Sequence, residues 1–130
     1  MIPRPFENAP RLRGGRSNCP PRVVVLPRGR AYENLEEIVS FEGITGVFVG
    51  PSDLSASLGM YGKIESEEFI DTLADIARRA KTYRKLTGLM AHTLSIARKA
   101  VELGYNFISL AHDTKFLMEG AKMFLSEFKK

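Results

Sequence analysis

The 130-residue sequence has little cysteine and no long apolar stretch. Cys19 is its single cysteine, so the chain can form neither an internal disulfide nor a cysteine-rich metal site. No apolar run approaches the roughly 18–20 residues that span a bilayer. The opening residues also lack the uninterrupted apolar stretch of a secretory signal. We therefore expect a cytoplasmic protein with no membrane partner.

Lysine is absent from the first 30 residues, and proline is almost absent after them. Those 30 residues hold seven arginines, one acidic residue and six of the seven prolines, so their net charge is +6. Because the whole sequence carries +4, residues 31–130 carry −2. This shift predicts a disordered Arg/Pro-rich tail at residues 1–21 and a folded domain at residues 22–130. The basic residues lack interleaved aromatics, and we expect no nucleic-acid partner.

The folded region alternates strand patterns with helix patterns. Short β-branched or apolar runs predict strands at 23–26, 46–49, 86–91 and 107–110. Apolar residues at helical spacing predict helices at 31–41, 66–84, 94–103 and 116–125. Ser66 and Thr93 are the predicted N-caps of the second and third helices. This order predicts an α/β fold with a parallel sheet that is covered by helices.

Four βα units match half of a (β/α)₈ TIM barrel, whose full length is about 250 residues. An open α/β sheet is the alternative, and periodicity alone does not separate the two. Both architectures place chemistry at the carboxyl ends of the strands. Four segments follow the predicted strands, namely residues 27–28, 50–53, 91–93 and 111–114.

The segment Gly50-Pro51-Ser52-Asp53 is the most informative of the four. Gly50 allows close approach of the backbone, and Pro51 ends the strand. Free N–H groups at such a turn can hold a carboxylate or a phosphate. Asp53 could bind a divalent metal, because hard cations prefer oxygen ligands. The alternative is that Ser52 or Asp53 caps a short helix at residues 54–58.

The surrounding sequence, FEGITGVFVGPSDLSASLG at residues 41–59, closely resembles the HpcH/HpaI aldolase family. The type member of that family is 4-hydroxy-2-oxoheptanedioate aldolase. The resemblance continues through Val101–Gly104 to Asp113-Thr114 and covers about residues 30–128. The run GVFVGPSDLS is its specific part.

The resemblance implies the C-terminal half of a (β/α)₈ barrel in a protein that assembles as a homo-oligomer, usually a hexamer. The family reversibly cleaves 4-hydroxy-2-oxo acids to pyruvate, or a related 2-oxo acid, and an aldehyde. A divalent metal (Mg, Mn or Co) binds the 2-oxo acid there. By this resemblance, Asp53 is a metal ligand and Ser52 binds the substrate through its backbone N–H.

The sequence departs from the family where a second metal ligand is expected. The family's Gln-x-Glu motif falls on Val25 and Pro27, and neither residue offers a carboxylate or an amide side chain. The family's catalytic histidine and arginine belong to the first half of the barrel, so no catalytic residue is assigned here. We expect a truncated lyase that is inactive alone, binds metal weakly or not at all, and self-associates. The alternatives are an aldolase completed by neighbouring chains and a non-enzymatic module for 2-oxo-acid binding or assembly.

Other polar residues are weaker candidates. His92 and His112 both fall near strand ends, where a functional role competes with that of an ordinary loop histidine. Asp71 and Asp75 lie one helical turn apart, and beside Arg78 and Arg79 they indicate a solvated helix face. Cys19 has no partner base in the neighbouring sequence.

The composition changes abruptly at about Ala31, where family-like sequence begins. We hypothesise that residues 1–30 are translated from a shifted reading frame, or that the gene has lost its first half. A divergent tail is the alternative.

Overall fold

The computed structural model describes residues 21–26 and 29–130. The strands, listed in chain order, are β1 (Val23–Leu26), β2 (Gly46–Val49), β3 (Leu86–Met90) and β4 (Phe107–Ser109). The helices are α1 (Gly29–Glu33), α2 (Leu35–Ser40), α3 (Pro51–Ser57), α4 (Glu67–Thr82), α5 (Leu94–Glu102) and α6 (Asp113–Phe128). All strand pairs are parallel, and the order across the sheet is β1-β2-β3-β4. The predicted α/β fold of four βα units is confirmed.

Two helix predictions need correction. The helix expected at 31–41 is two short helices, because Asn34 leaves the helical conformation between them, with ψ at 16°. The short helix expected at 54–58 begins earlier, at Pro51. Proline suits the first position of a helix, because an N–H at that position would have no acceptor within the helix. The predicted tail lies outside the described residues except for its last one, and the domain boundary stays a prediction.

The two predicted N-caps are present. The Ser66 hydroxyl accepts a hydrogen bond from the Phe69 N–H at 3.3 Å, and the Thr93 hydroxyl accepts one from the Ile96 N–H at 3.2 Å. Each satisfies a donor that the first turn leaves without a helical partner. These caps fix where α4 and α5 begin relative to the sheet.

The core lies between one face of the sheet and the helices that cover it. Val47, Val49 and Leu89 face this core from β2 and β3, and Phe69 and Ile76 face it from α4. All five side chains are fully buried. Since strand residues alternate between faces, the residues between them belong to the opposite face.

The opposite face carries a row of register partners, namely Val25, Phe48, Gly88 and Phe107. The rings of Phe48 and Phe107 stack with centroids 5.6 Å apart across β3. A Cβ on Gly88 would overlap the Phe107 ring, so any other residue at this position would displace the ring. Val25 remains 56% exposed at the edge of the row. This face is therefore only partly covered within the described chain.

Helix α6 has no buried residue. Leu117, Phe124 and Phe128 are 75%, 73% and 89% exposed, and their spacings of seven and four place them along one side of the helix. No helix in the described ranges is long and apolar enough to cross a membrane. The side of α6 that contains these three residues is called the α6 apolar face below.

Candidate functional site

The carboxyl end of β2 leads directly into α3. Gly50 occupies the N-cap position in an extended conformation, and no side chain caps the helix. Ser52 and Asp53 therefore do not serve as the N-cap, although both lie in the first turn. Both side chains are exposed at the mouth of the strand. The positive end of the α3 dipole favours the negative charge of Asp53 at this place.

Buried neighbours fix this turn to the core. Pro51, Leu54 and Ser55 are buried in the same helix. The Ser55 hydroxyl donates a hydrogen bond to the Ser52 carbonyl oxygen at 3.0 Å. The exposed residues Ser52 and Asp53 therefore lie on a short helix whose opposite side is buried in the core.

Ser52 also contacts the end of the next strand. Its Oγ lies 3.0 Å from Nε2 of His92, which is half-buried just after β3. The sequence placed His92 near a strand end, but it gave no sign of this contact across 40 residues. His112, by contrast, is exposed at the N-cap position of α6 and makes no capping hydrogen bond with its side chain.

Lys115 is a site residue that the sequence reasoning missed. Its Nζ donates a hydrogen bond to the His92 carbonyl oxygen at 2.6 Å from the first turn of α6. No motif marks this lysine, and only its place shortly after a strand end could have suggested it. Together the two contacts connect the ends of β2, β3 and β4.

The described residues do not form a complete metal site. They contain no group of three or more His, Cys, Asp and Glu side chains that could hold a metal ion. Val25 is apolar, and Pro27 lies outside the described residues. Asp53 would supply a single carboxylate, so the described residues fit a divalent cation only in part.

Asp71 and Asp75 differ in their surroundings. Asp71 is exposed, as predicted, but Asp75 is half-buried and accepts a hydrogen bond from the Tyr32 hydroxyl at 3.0 Å. Asp75 also pairs with Arg78 and Arg79. Burial pushes the pKa of the Asp75 carboxyl upward, but the hydrogen bonds from Tyr32 and Arg78 and the two arginine charges outweigh it and hold the pKa below its ordinary value. The Asp75 network connects α1 to α4 and lies apart from the strand ends.

A family model matches this chain over residues 23–120, and its description is HpcH/HpaI aldolase/citrate lyase. The chain belongs to this family. Over 96 residues it is 35% identical to a hydroxypyruvate/pyruvate aldolase of Pseudomonas aeruginosa, a match that covers 74% of this chain and 36% of the relative. Over 108 residues it is 34% identical to a 5-keto-4-deoxy-D-glucarate aldolase of Salmonella arizonae, covering 83% of this chain and 42% of the relative.

Solved structures of HpcH/HpaI proteins resemble this chain in fold. A HpcH/HpaI aldolase/citrate lyase family protein from Burkholderia cenocepacia J2315 superposes with a TM-score of 0.76 at 29% identity. A HpcH/HpaI aldolase from Desulfitobacterium hafniense DCB-2 gives 0.75 at 23% identity, which bears on the fold alone. Each match covers 83% of this chain and 42% of the solved chain. The chain thus spans less than half the length of its relatives, as four βα units of a TIM barrel would.

Proposed function

We propose that this chain carries one wall of a divalent-metal-dependent aldolase site for a 2-oxo acid such as pyruvate. The whole protein would be a carbon–carbon lyase that cleaves 4-hydroxy-2-oxo acids to pyruvate and an aldehyde. The observation that carries the proposal is the anchored first turn of α3, which presents Ser52 and Asp53 at the carboxyl end of β2. The aldolase names of the relatives support the same class of reaction.

Each residue of the turn has a separate task in this proposal. Ser52 lies in the first turn of α3, where a backbone N–H finds no acceptor within its helix and can bind a substrate carboxylate. Asp53 supplies a carboxylate ligand for Mg²⁺, Mn²⁺ or Co²⁺. Such a cation would supply a positive charge next to the 2-oxo group of the substrate. A single protein carboxylate holds such a cation weakly, so we propose little activity for the chain alone and a cytoplasmic protein completed by further residues.

Titration with Mn²⁺ tests the role of Asp53. The Asp53→Asn variant should weaken Mn²⁺ binding roughly tenfold or more, because an amide oxygen keeps the shape of the ligand but loses its charge. The signal of free Mn²⁺ in electron paramagnetic resonance measures the bound fraction. The matched control is Glu42→Gln, an exposed carboxylate ahead of β2 at the opposite end of the sheet. Equal Mn²⁺ binding by both variants and the unaltered chain would contradict the assignment.

The second candidate is a non-enzymatic module that binds a 2-oxo acid or assembles with other chains. The exposed α6 apolar face favours it, because such a face usually marks an interaction surface. Exchange of the pyruvate methyl protons in heavy water with Mn²⁺ separates the two candidates. Exchange that disappears in Asp53→Asn supports residual aldolase chemistry, whereas pyruvate binding without exchange supports the module.

A further inference from the structure

A groove of about 780 Å³ lies at the amino end of the sheet, away from Ser52 and Asp53. It is bounded by the end of α4, the start of β3 and the turn between α5 and β4. Arg78, Lys81, Arg84 and Lys85 all line it, and none of its described lining residues is acidic. Residues 31–130 carry a net charge of −2 as a whole, so these four cations stand out from the rest of the domain.

Two of the four cations are already engaged. Arg78 pairs with Asp75. Lys85 donates from Nζ to the carbonyl oxygens of Phe41 and Ile44, at 2.9 and 2.8 Å. The side chains of Lys81 and Arg84 bond to no residue in the described part of the chain. Their donors are therefore open to a ligand.

Asn106 adds a fixed donor to the groove. Its Oδ1 accepts the Thr87 backbone N–H at 2.9 Å, which settles the orientation of the amide group. The NH₂ group of Asn106 bonds to no other described residue. The open side-chain groups of Lys81, Arg84 and Asn106 are thus all donors, and this set fits an anion.

The backbone at Arg84 has a left-handed conformation at the end of α4. Arg84 has a φ of +56° and is the one non-glycine residue with positive φ in the described ranges. It follows the end of α4, where glycine is the preferred residue for this conformation. Hydrogen bonds from Arg84 N–H to the Lys81 carbonyl and from Lys85 N–H to the Ala80 carbonyl, both 2.9 Å, hold the turn. This is a common way for a helix to end, and it places the Arg84 side chain beside the groove.

We propose that this groove binds a small phosphate-bearing polyanion. The guanidinium of Arg84 matches the geometry of phosphate oxygens, and the Lys81 ammonium adds a second charge. All lining elements belong to two consecutive βα units, so the site needs no residues from elsewhere in the barrel. The inference does not depend on the function proposed for Ser52 and Asp53.

Isothermal titration of inorganic pyrophosphate into the full chain tests the proposal. We expect saturable binding of one ligand per chain that weakens with added salt. Lys81→Gln and Arg84→Gly should each weaken binding roughly five- to tenfold, since each removes a charged donor. Tricarballylate, a polyanion without phosphate, should bind more weakly than pyrophosphate, and equal affinity would overturn the phosphate assignment.

Arg84→Gly also separates a ligand role from a structural one. Because glycine relieves the left-handed backbone, this variant should unfold at the same temperature or roughly 2–5 °C higher while it loses affinity. The matched control is Lys99→Gln, which changes an exposed lysine paired with Glu102 on α5 and should leave pyrophosphate binding unchanged. Absence of pyrophosphate binding, or equal weakening in all three variants, would overturn the proposal.

Discussion

Asp75 on α4 is a half-buried carboxylate that connects this helix to α1. Its carboxylate accepts a hydrogen bond from the Tyr32 hydroxyl of α1 and forms ion pairs with Arg78 and Arg79 of its own helix. The pKa of this carboxyl is lowered in the folded protein. A lowered pKa means that the folded state favours the ionised form, so the contribution to stability is present above the unfolded pKa. It is lost as the pH falls through the folded pKa.

We expect Asp75→Asn to lower the free energy of unfolding at pH 7 by about 0.5–1 kcal/mol, because the pair is partly exposed to solvent. Urea unfolding of the variant and the unaltered chain measures the difference. The difference should shrink as the pH falls from the ordinary carboxyl value of 3.8 through the lower folded pKa, because the Asp75 carboxylate loses its charge over that range. Asp71→Asn, one helical turn earlier and exposed, is the control and should change stability little at either pH. A difference that stays constant with pH would contradict the ionic origin of the effect.

Residue roles were predictable from the sequence where they depend on neighbouring residues alone. The Ser66 and Thr93 caps follow from residue type and spacing, and the resemblance of residues 46–55 to the family led to the family assignment. The contact between Ser52 and His92 was not predictable, because 40 residues separate the two and only the parallel pairing of β2 with β3 brings them together. The roles of Ser52 and Asp53 stay predictions.

At the scale of elements, α6 shows both the strength and the limit of periodicity. The sequence predicts an amphipathic helix here, and the structure contains one. Periodicity also predicts that an apolar stripe faces a core, yet Leu117 and Phe124 are largely exposed within the described chain. We predict that a second copy of the chain covers the α6 apolar face.

A charge on the α6 apolar face should reduce self-association. Leu117→Lys and Phe124→Lys each put an ammonium where an apolar contact is expected, so burial would require its desolvation. Sedimentation velocity at several protein concentrations measures the change, and we expect the variants to shift toward the monomer. Ser126→Lys adds the same charge at a polar position of α6 and serves as the control. A compact monomer of the unaltered chain at all concentrations would contradict the prediction.

At the scale of the whole molecule, the alternation of strand and helix patterns was enough to predict a parallel α/β layer. It could not decide between an open sheet and part of a barrel, since both have the same local order. The likeness to a family structure, with a TM-score of 0.76 over 42% of its length, is what favours part of a barrel. Within the described residues β1 and β4 each have one neighbour, and an edge strand leaves backbone groups open for pairing.

The strand order has a further consequence for how the chain folds. Each strand pairs with the next strand along the chain, so the sheet can grow in the order of synthesis, one βα unit on the last. Register partners lie 19 to 40 residues apart in sequence, so each added strand closes one loop of that length, and the entropy cost of closure grows only slowly with loop length. In this respect the domain resembles a short repeat array, whose stability is a sum over neighbouring units. Within the described residues, every strand therefore finds its first partner in an adjacent βα unit, and none depends on a distant one for it.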